Sequence, residues 1–131
     1  MYASVLSRDP AATYRQIDAA GRTATADGPA LVQLLYEELV AALRAAAHAA
    51  EHRQYRMRSE RVTRATAILF ALEAGLDFES GGDVSRTLAR LYAGARTRVL
   101  DAAMGEDPQP LRDTADTLAE IAAAWRTARA A

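Results

Sequence analysis

The chain has 131 residues, the length of one domain that buries a core without covalent cross-links. It contains no cysteine, which excludes disulfides, thiolate metal sites and a cysteine nucleophile. The formal net charge of -1 provides no overall field that would attract nucleic acid or an anionic membrane. Charged residues interrupt every apolar run before it reaches the roughly 20 residues of a membrane span, and the N-terminus lacks the pattern of a secretory signal. We therefore expect a cytoplasmic protein with a single domain, 1–131.

Composition and helix-breaking residues predict helices throughout the chain. Alanine makes up about a quarter of the residues and, histidine aside, arginine is the only basic residue; both are strong helix formers. Asp9 and Pro10 begin a short helix that ends near Gly21, so we expect 1–21 to be a mobile segment with a short helix and 27–131 to be a bundle. Four longer helices are expected from Asp27-Gly28-Pro29 to about His52, from Arg56 to Asp77, from Asp83 to Met104 after a break at Glu79-Ser80-Gly81-Gly82, and from Leu111 to about Arg129.

Each of the last three helices carries one apolar stripe at helical spacing. The stripes consist of Val62, Ala65, Leu69, Leu72 and Leu76; of Val84, Leu88, Leu91, Ala95, Val99 and Ala102; and of Leu111, Ala115, Leu118, Ile121 or Ala122, and Trp125. The connections are short, so consecutive helices should be antiparallel. The predicted fold is all-α: an antiparallel four-helix bundle with a short N-terminal cap helix.

The first long helix has an apolar arc that covers more than half of its circumference, wider than one face of a bundle requires. One explanation is a central helix that touches more neighbours than the others do. The other is an apolar groove left open for a partner. The residues that would line such a groove are Val32, Tyr36 and Val40 on this helix, and Ile68 and Phe70 on the next.

The chain offers little evidence for catalysis. Residues 48–52 read HAAEH, which resembles the H-x-x-E-H pattern of inverted zinc peptidases. The two histidines are the only ones in the chain, so a third ligand would have to be a carboxylate, and an exposed pair near a helix end explains them better. There is no Glu-x-x-His pattern for a di-iron site and no G-x-S-x-G nucleophile motif. We expect no enzymatic activity, no cofactor and no metal.

A local cluster of arginines follows the first long helix, at Arg53, Arg56, Arg58, Arg61 and Arg64. RNA binding by such a cluster is usually accompanied by several stacking aromatics, and Tyr55 alone is little support for it. A solvated helix end or a docking site for an acidic partner fits better, so no nucleic acid is expected among the partners.

Four stretches in order resemble one known family, the flagellar secretion chaperones of the FliS type. Residues 25–36 (TADGPALVQLLY) are similar to the start and the leucine-leucine-tyrosine body of its first long helix. Residues 72–77 (LEAGLD), 81–84 (GGDV) and 88–92 (LARLY) look like its Leu-Asp, Gly-Gly-Glu-Ile and Asn-Leu-x-x-Leu-Tyr stretches. Leu118, Ile121, residues 124–126 (AWR) and Ala128 resemble its closing segment.

The resemblance implies a function that composition alone does not. Members of the family hold newly made flagellin in the cytoplasm, wrap its disordered C-terminal segment around the bundle, prevent premature polymerisation and present it to the membrane-embedded export gate. Such a client would lay amphipathic helices on an apolar surface. The resemblance also implies that the N-terminal segment covers the groove when no client is bound, and that a tyrosine in this segment takes part in docking at the gate. Tyr14, with Ile17 near it, matches that position.

Two interpretations remain open for the tyrosines of the long helices, Tyr36 and Tyr92, because an amphipathic ring suits a groove edge and the rim of a core equally well. An alternative function is also open: a helical adaptor without enzymatic activity that dimerises through its apolar face. A homodimer in the absence of client belongs among the expected partners, and direct insertion into a membrane does not.

Overall fold

A computed structural model describes residues 28–130, with side chains up to residue 127. These residues form four helices: α1 (Pro29–Glu51), α2 (Tyr55–Ala74), α3 (Phe78–Ala103) and α4 (Gln109–Ala130). The predicted all-α four-helix bundle is confirmed, and the helix bounds lie within a few residues of those expected. The expected N-terminal cap helix lies outside the described residues. None of the helices described has the length and apolar composition needed to cross a bilayer.

The helices pack as a ring in chain order. α1 contacts α2 and α4, and α3 contacts the same two helices. Trp125 near the end of α4 donates its indole N–H to the carbonyl of Pro29 at the start of α1, at 2.8 Å. At the opposite end of the bundle, Arg112 near the start of α4 pairs with Glu51 at the end of α1. α1 and α4 are therefore antiparallel, as the short connections predict.

The predicted apolar stripes form the core. Every stripe residue of α2, α3 and α4 is buried except Leu76 and Val84, which are partly buried and pack against the core. Both exceptions lie at the connection between α2 and α3, where fewer neighbours surround them. The burial of leucine, isoleucine and valine side chains along all four helices is the main force that holds the bundle together.

The connection between α2 and α3 differs in detail from the expected break. Asp77 accepts a hydrogen bond from the Ser80 amide at 3.0 Å and so caps one turn of helix before the chain bends. Gly82, with φ of 52° and ψ of -124°, then redirects the chain into the long part of α3. Ser85 is buried and donates to the Asp77 carbonyl at 2.7 Å, which ties the turn to the helix. The predicted loop is thus a capped turn followed by a glycine kink.

The turn between α1 and α2 is a Schellman motif. The amide of Gln54 donates to the carbonyl of Ala49 at 2.8 Å, and the amide of Arg53 donates to that of Ala50 at 3.2 Å. Arg53 occupies the left-handed position of the motif, with φ of 57°, where glycine is the usual residue. A side chain in this conformation costs about 1–2 kcal/mol because Cβ approaches the following carbonyl.

Candidate partner-binding surface

The wide apolar arc of α1 faces three neighbours. Glu38 on one side of the helix pairs with Arg64 of α2 at 2.7 Å, and Glu37 on the other side pairs with Arg126 of α4 at 3.2 Å. Between them, Tyr36 reaches across the bundle to α3. The central-helix explanation therefore accounts for most of the arc, and Leu31 and Leu34 are the members of the arc that stay exposed.

Most of the residues predicted to line an open groove lie in the core. Val32, Tyr36, Val40, Ile68 and Tyr92 are buried in the described structure, and Tyr36 is only 1% exposed. Phe70 is the exception, with 57% of its surface exposed. Tyr14 and Ile17 lie outside the described residues. The groove that sequence analysis predicted is thus filled by the neighbouring helices at five of its positions, while the role of these residues toward a partner stays a prediction.

Tyr36 and Tyr92 form a polar contact in the middle of this core. Their hydroxyl oxygens are 2.6 Å apart and their ring centroids are 6.3 Å apart. Burial raises the pKa of both phenols well above the usual range, and the neighbouring Tyr92 raises that of Tyr36 further. Both phenols therefore stay neutral, and one hydroxyl donates to the other. The sequence left two interpretations open, a groove edge and the rim of a core, and both tyrosines lie in the core.

Large apolar side chains are exposed at both ends of the described bundle: four at the end where α1 begins, and Tyr55, Met57, Leu100 and Met104 at the opposite end. The start of α1, the end of α2 and the start of α3 lie together at the first of these ends because neighbouring helices are antiparallel. We call the exposed side chains there the apolar end: Leu31, Leu34, Phe70 and Phe78. Other residues of α1 fill its core face, and Leu34 is 52% exposed. Large apolar side chains exposed together on a small domain are typical of surfaces that bind another protein.

The ring of Phe70 is held in place by an arginine of the neighbouring helix. The guanidinium of Arg96 on α3 lies 4.3 Å from the centroid of the Phe70 ring. Arg96 also pairs with Glu73 of α2, and its side chain is largely buried. The cation, fixed by the carboxylate, supports one face of the ring while the rest is open to solvent. Phe70 is therefore a pre-oriented apolar anchor rather than a loose surface side chain.

Leu31, Leu34 and Phe78 were not singled out as contact residues by the sequence. Leu31 and Leu34 belong to the apolar arc of α1, but their position in that arc does not reveal which part the neighbouring helices leave uncovered. Phe78 directly follows the Leu-Asp stretch and precedes the glycine kink, so its position on the surface depends on the turn.

The histidine pair does not assemble a metal site in the described structure. The rings of His48 and His52 are 4.1 Å apart between centroids, and Nδ1 of His52 lies 2.8 Å from the His48 carbonyl oxygen. The intervening carboxylate of Glu51 binds Arg112, whose hydrogen bond and charge lower the pKa of that carboxyl. Among the described residues, no group of three histidine or acidic side chains is arranged to hold a metal ion.

Comparison with known proteins adds what the geometry alone does not. The model of one protein family, described as "Flagellar protein FliS", matches residues 10–131. The chain is also 29% identical over 114 residues to the flagellar secretion chaperone FliS of Salmonella typhimurium, a match that covers 86% of this chain and 84% of that one.

Two further relatives match at a similar level. The flagellar secretion chaperone FliS of Vibrio cholerae is 27% identical over 112 residues, which cover 86% of this chain and 82% of the relative. The flagellar secretion chaperone FliSB of Pseudomonas aeruginosa is 28% identical over 112 residues, which cover 86% of this chain and 89% of the relative.

Proposed function

Because this chain belongs to the FliS family, we propose that it is a flagellar export chaperone without enzymatic activity. In this proposal it works in the cytoplasm, binds the disordered C-terminal segment of flagellin, prevents premature polymerisation and presents the client to the flagellar export gate. The observation that carries the proposal is the family match over nearly the whole chain, supported by three relatives that are named flagellar secretion chaperones.

The apolar end supplies a physical basis for client capture. An amphipathic client helix would place its apolar face on side chains of this end such as Phe70, which already stands exposed and needs no rearrangement of the core. Coupled folding of a disordered client gives moderate affinity for the area buried, which suits a chaperone that must release its client.

The remaining predicted contact residues have a place in the same proposal. Five of them are buried, so they would shape the surface rather than form it: Val32, Tyr36, Val40, Ile68 and Tyr92. Tyr14 and Ile17 precede α1, whose first turn lies at the apolar end, and we propose that they bind there or at the export gate. The dimerising adaptor remains the second candidate, because an apolar end of this kind also suits a second copy of the chain.

The test is calorimetric titration of the protein with the C-terminal segment of a flagellin from the same source. We expect a one-to-one complex with a negative heat-capacity change, the mark of apolar burial. Phe70→Ala should weaken binding by about 1–2 kcal/mol, the loss typical of an exposed aromatic anchor. Leu100→Ala is the matched control, because Leu100 is also about half exposed but lies toward the opposite end of α3.

The outcomes separate the two candidates. No heat at concentrations well above micromolar, together with a constitutive dimer in sedimentation, would reject the chaperone and favour the adaptor. Equal losses in Phe70→Ala and Leu100→Ala would leave flagellin binding intact as a function and remove it from the apolar end.

A further inference from the structure

The end of the bundle opposite the apolar end carries cations that the proposed function does not use. Arg53 and Arg61 are exposed, and neither has an ion-pair partner among the described residues. Arg56 pairs with Glu60 at 3.6 Å, but its side chain is 95% exposed, so water screens this contact. We call Arg53, Arg56 and Arg61 the basic cluster. Its three charges are available to a ligand.

The backbone at this end holds an arginine in a strained conformation. Arg53 fills the left-handed position of the turn after α1, where glycine would cost less. A side chain kept in an unfavourable conformation on the surface, where it contributes no packing, points to a use for that side chain.

The start of α2 breaks a second local rule. Its first turn contains no acidic residue, although carboxylates are favoured there by the positive end of the helix dipole. Arg56 lies in this turn instead, where the dipole repels its charge. Arg58, three residues after the start of α2, is used differently: it donates to the carbonyl of Gly105 at 2.8 Å and lies 4.9 Å from the centre of the Tyr55 ring. An acidic ligand would offset the repulsion at Arg56 and the cost at Arg53 together.

A shallow, open apolar cleft lies beside Arg56 of the basic cluster. It has a volume of about 410 Å³ and is lined, among the described residues, by Gln54, Tyr55, Arg56, Met57 and Glu60. Met57 is 41% exposed, an unusual state for a flexible apolar side chain on a polar helix face. Methionine adapts its shape to different apolar partners, so the cleft suits a side chain such as leucine or phenylalanine.

We propose that this end of the bundle docks a protein segment in which acidic residues flank an apolar side chain. The carboxylates pair with the basic cluster, and the apolar side chain enters the cleft over Met57. In this proposal the segment belongs to a second partner; α2, roughly 30 Å long, lies between this surface and the apolar end, and flagellin titration of the same variants distinguishes a second partner from an extended client.

A peptide fits this surface better than nucleic acid does. The chain as a whole carries a net charge of -1. Glu106 and Asp107 follow Gly105, which Arg58 ties to the start of α2, so two carboxylates lie at the same end of the bundle. A phosphate backbone with a charge at every step would meet these carboxylates, whereas a peptide places a few charges where the arginines are.

The experiment measures fluorescence anisotropy of a short labelled peptide in which glutamates alternate with leucines, at low ionic strength. We expect the full chain to bind it, and the same peptide with lysine for each glutamate not to bind. Arg53→Ala, Arg56→Ala and Arg61→Ala should each weaken binding by about two- to fivefold, as for exposed ion pairs. Arg90→Ala is the matched control, because Arg90 is an exposed arginine on another helix and has no ion pair among the described residues.

Two further variants separate a binding role from a structural one. Arg53→Gly relieves the left-handed strain, so it should raise Tm while it weakens peptide binding; a purely structural arginine would not give that combination. Glu60→Gln removes the carboxylate that lines the cleft and should tighten peptide binding about twofold.

Several results would overturn the proposal. It fails if the acidic peptide does not bind, or if Arg90→Ala weakens binding as much as the variants of the basic cluster do. Equally tight, arginine-dependent binding of a single-stranded oligonucleotide would assign the surface to nucleic acid. A parallel loss of flagellin binding in the same variants would make this end part of the client site. Flagellin titration of the wild-type protein tests the proposed function separately.

Discussion

Two tyrosines from helices that lie across the bundle from each other meet at its centre. Each hydroxyl is buried where water does not reach it, and each finds the other at 2.6 Å. Removal of one hydroxyl leaves its partner buried without a hydrogen bond, whereas removal of both leaves a surface that is entirely apolar. Loss of one hydroxyl is therefore expected to lower stability more than loss of both.

A double-mutant cycle on this pair should be strongly non-additive. Tyr36→Phe and Tyr92→Phe should each lower the free energy of unfolding by about 1–3 kcal/mol, the cost of one unsatisfied buried hydroxyl. The double variant should be no less stable than either single variant. Urea denaturation followed by circular dichroism measures all four proteins. Losses that simply add would show that each hydroxyl has another partner.

At the scale of the elements, the capped turn at the start of α3 depends on two residues of different kinds. Gly82 provides a backbone conformation that side chains rarely adopt, and nothing lies within 4 Å of the position where its Cβ would be. A substitution there should therefore cost backbone strain alone. Asp77 provides the carboxylate that holds the first turn.

Gly82→Ala should lower the free energy of unfolding by about 1–3 kcal/mol, the range for a residue forced into such a conformation. Gly105→Ala is the matched control. Its φ is not in the left-handed region, and its added Cβ would make only an ordinary contact at 3.9 Å with the Ala102 carbonyl. Thermal denaturation of both variants measures the difference. Equal Tm values for Gly82→Ala and the wild type would mean that the turn adopts another conformation.

Asp77 makes the stability of this turn dependent on pH. Hydrogen bonds from the amide and the hydroxyl of Ser80 lower the pKa of the Asp77 carboxyl in the folded state. The contribution to stability is therefore fully present above the unfolded pKa of about 3.9 and is lost as the pH falls through the folded pKa. Asp77→Asn should flatten the acid side of the stability profile, measured as Tm against pH. An unchanged profile would assign the acid sensitivity to other carboxylates.

The helices of this fold were largely predictable from the sequence. Which surface of each helix is covered by its neighbours was not. The spacing of Leu88, Leu91 and Val99 predicts which face of α3 is buried, because a helix with a single apolar stripe has only one orientation that buries the stripe. Trp125 ends the stripe of α4 and is buried there, with its N–H bonded to Pro29 as an amphipathic ring requires. The arc of α1 is different: a wide arc fits several orientations, and only the positions of three neighbours decide that Tyr36 is covered and Leu34 is not.

At the scale of the whole molecule, both ends of the described bundle expose large apolar side chains, and at one of them the basic cluster lies beside these side chains. One end exposes leucine and phenylalanine, and the other exposes arginines together with Tyr55, Met57, Leu100 and Met104. Antiparallel packing produces this separation, since it gathers the start of α1 with the end of α2 and the end of α1 with the start of α2. The packed core of a four-helix bundle is rigid, and it connects the two ends.

This arrangement predicts that the two proposed partners bind at the same time and without affecting each other. Energetic coupling between sites requires an element with two arrangements that both ligands bias, and a packed core of this kind offers none. The acidic peptide should therefore bind with the same Kd, within about twofold, to the free chain and to the chain saturated with flagellin segment. Anisotropy titration in both states measures this ratio. A flagellin segment that displaces the peptide would show that a single extended client reaches along α2 and occupies both ends of the bundle.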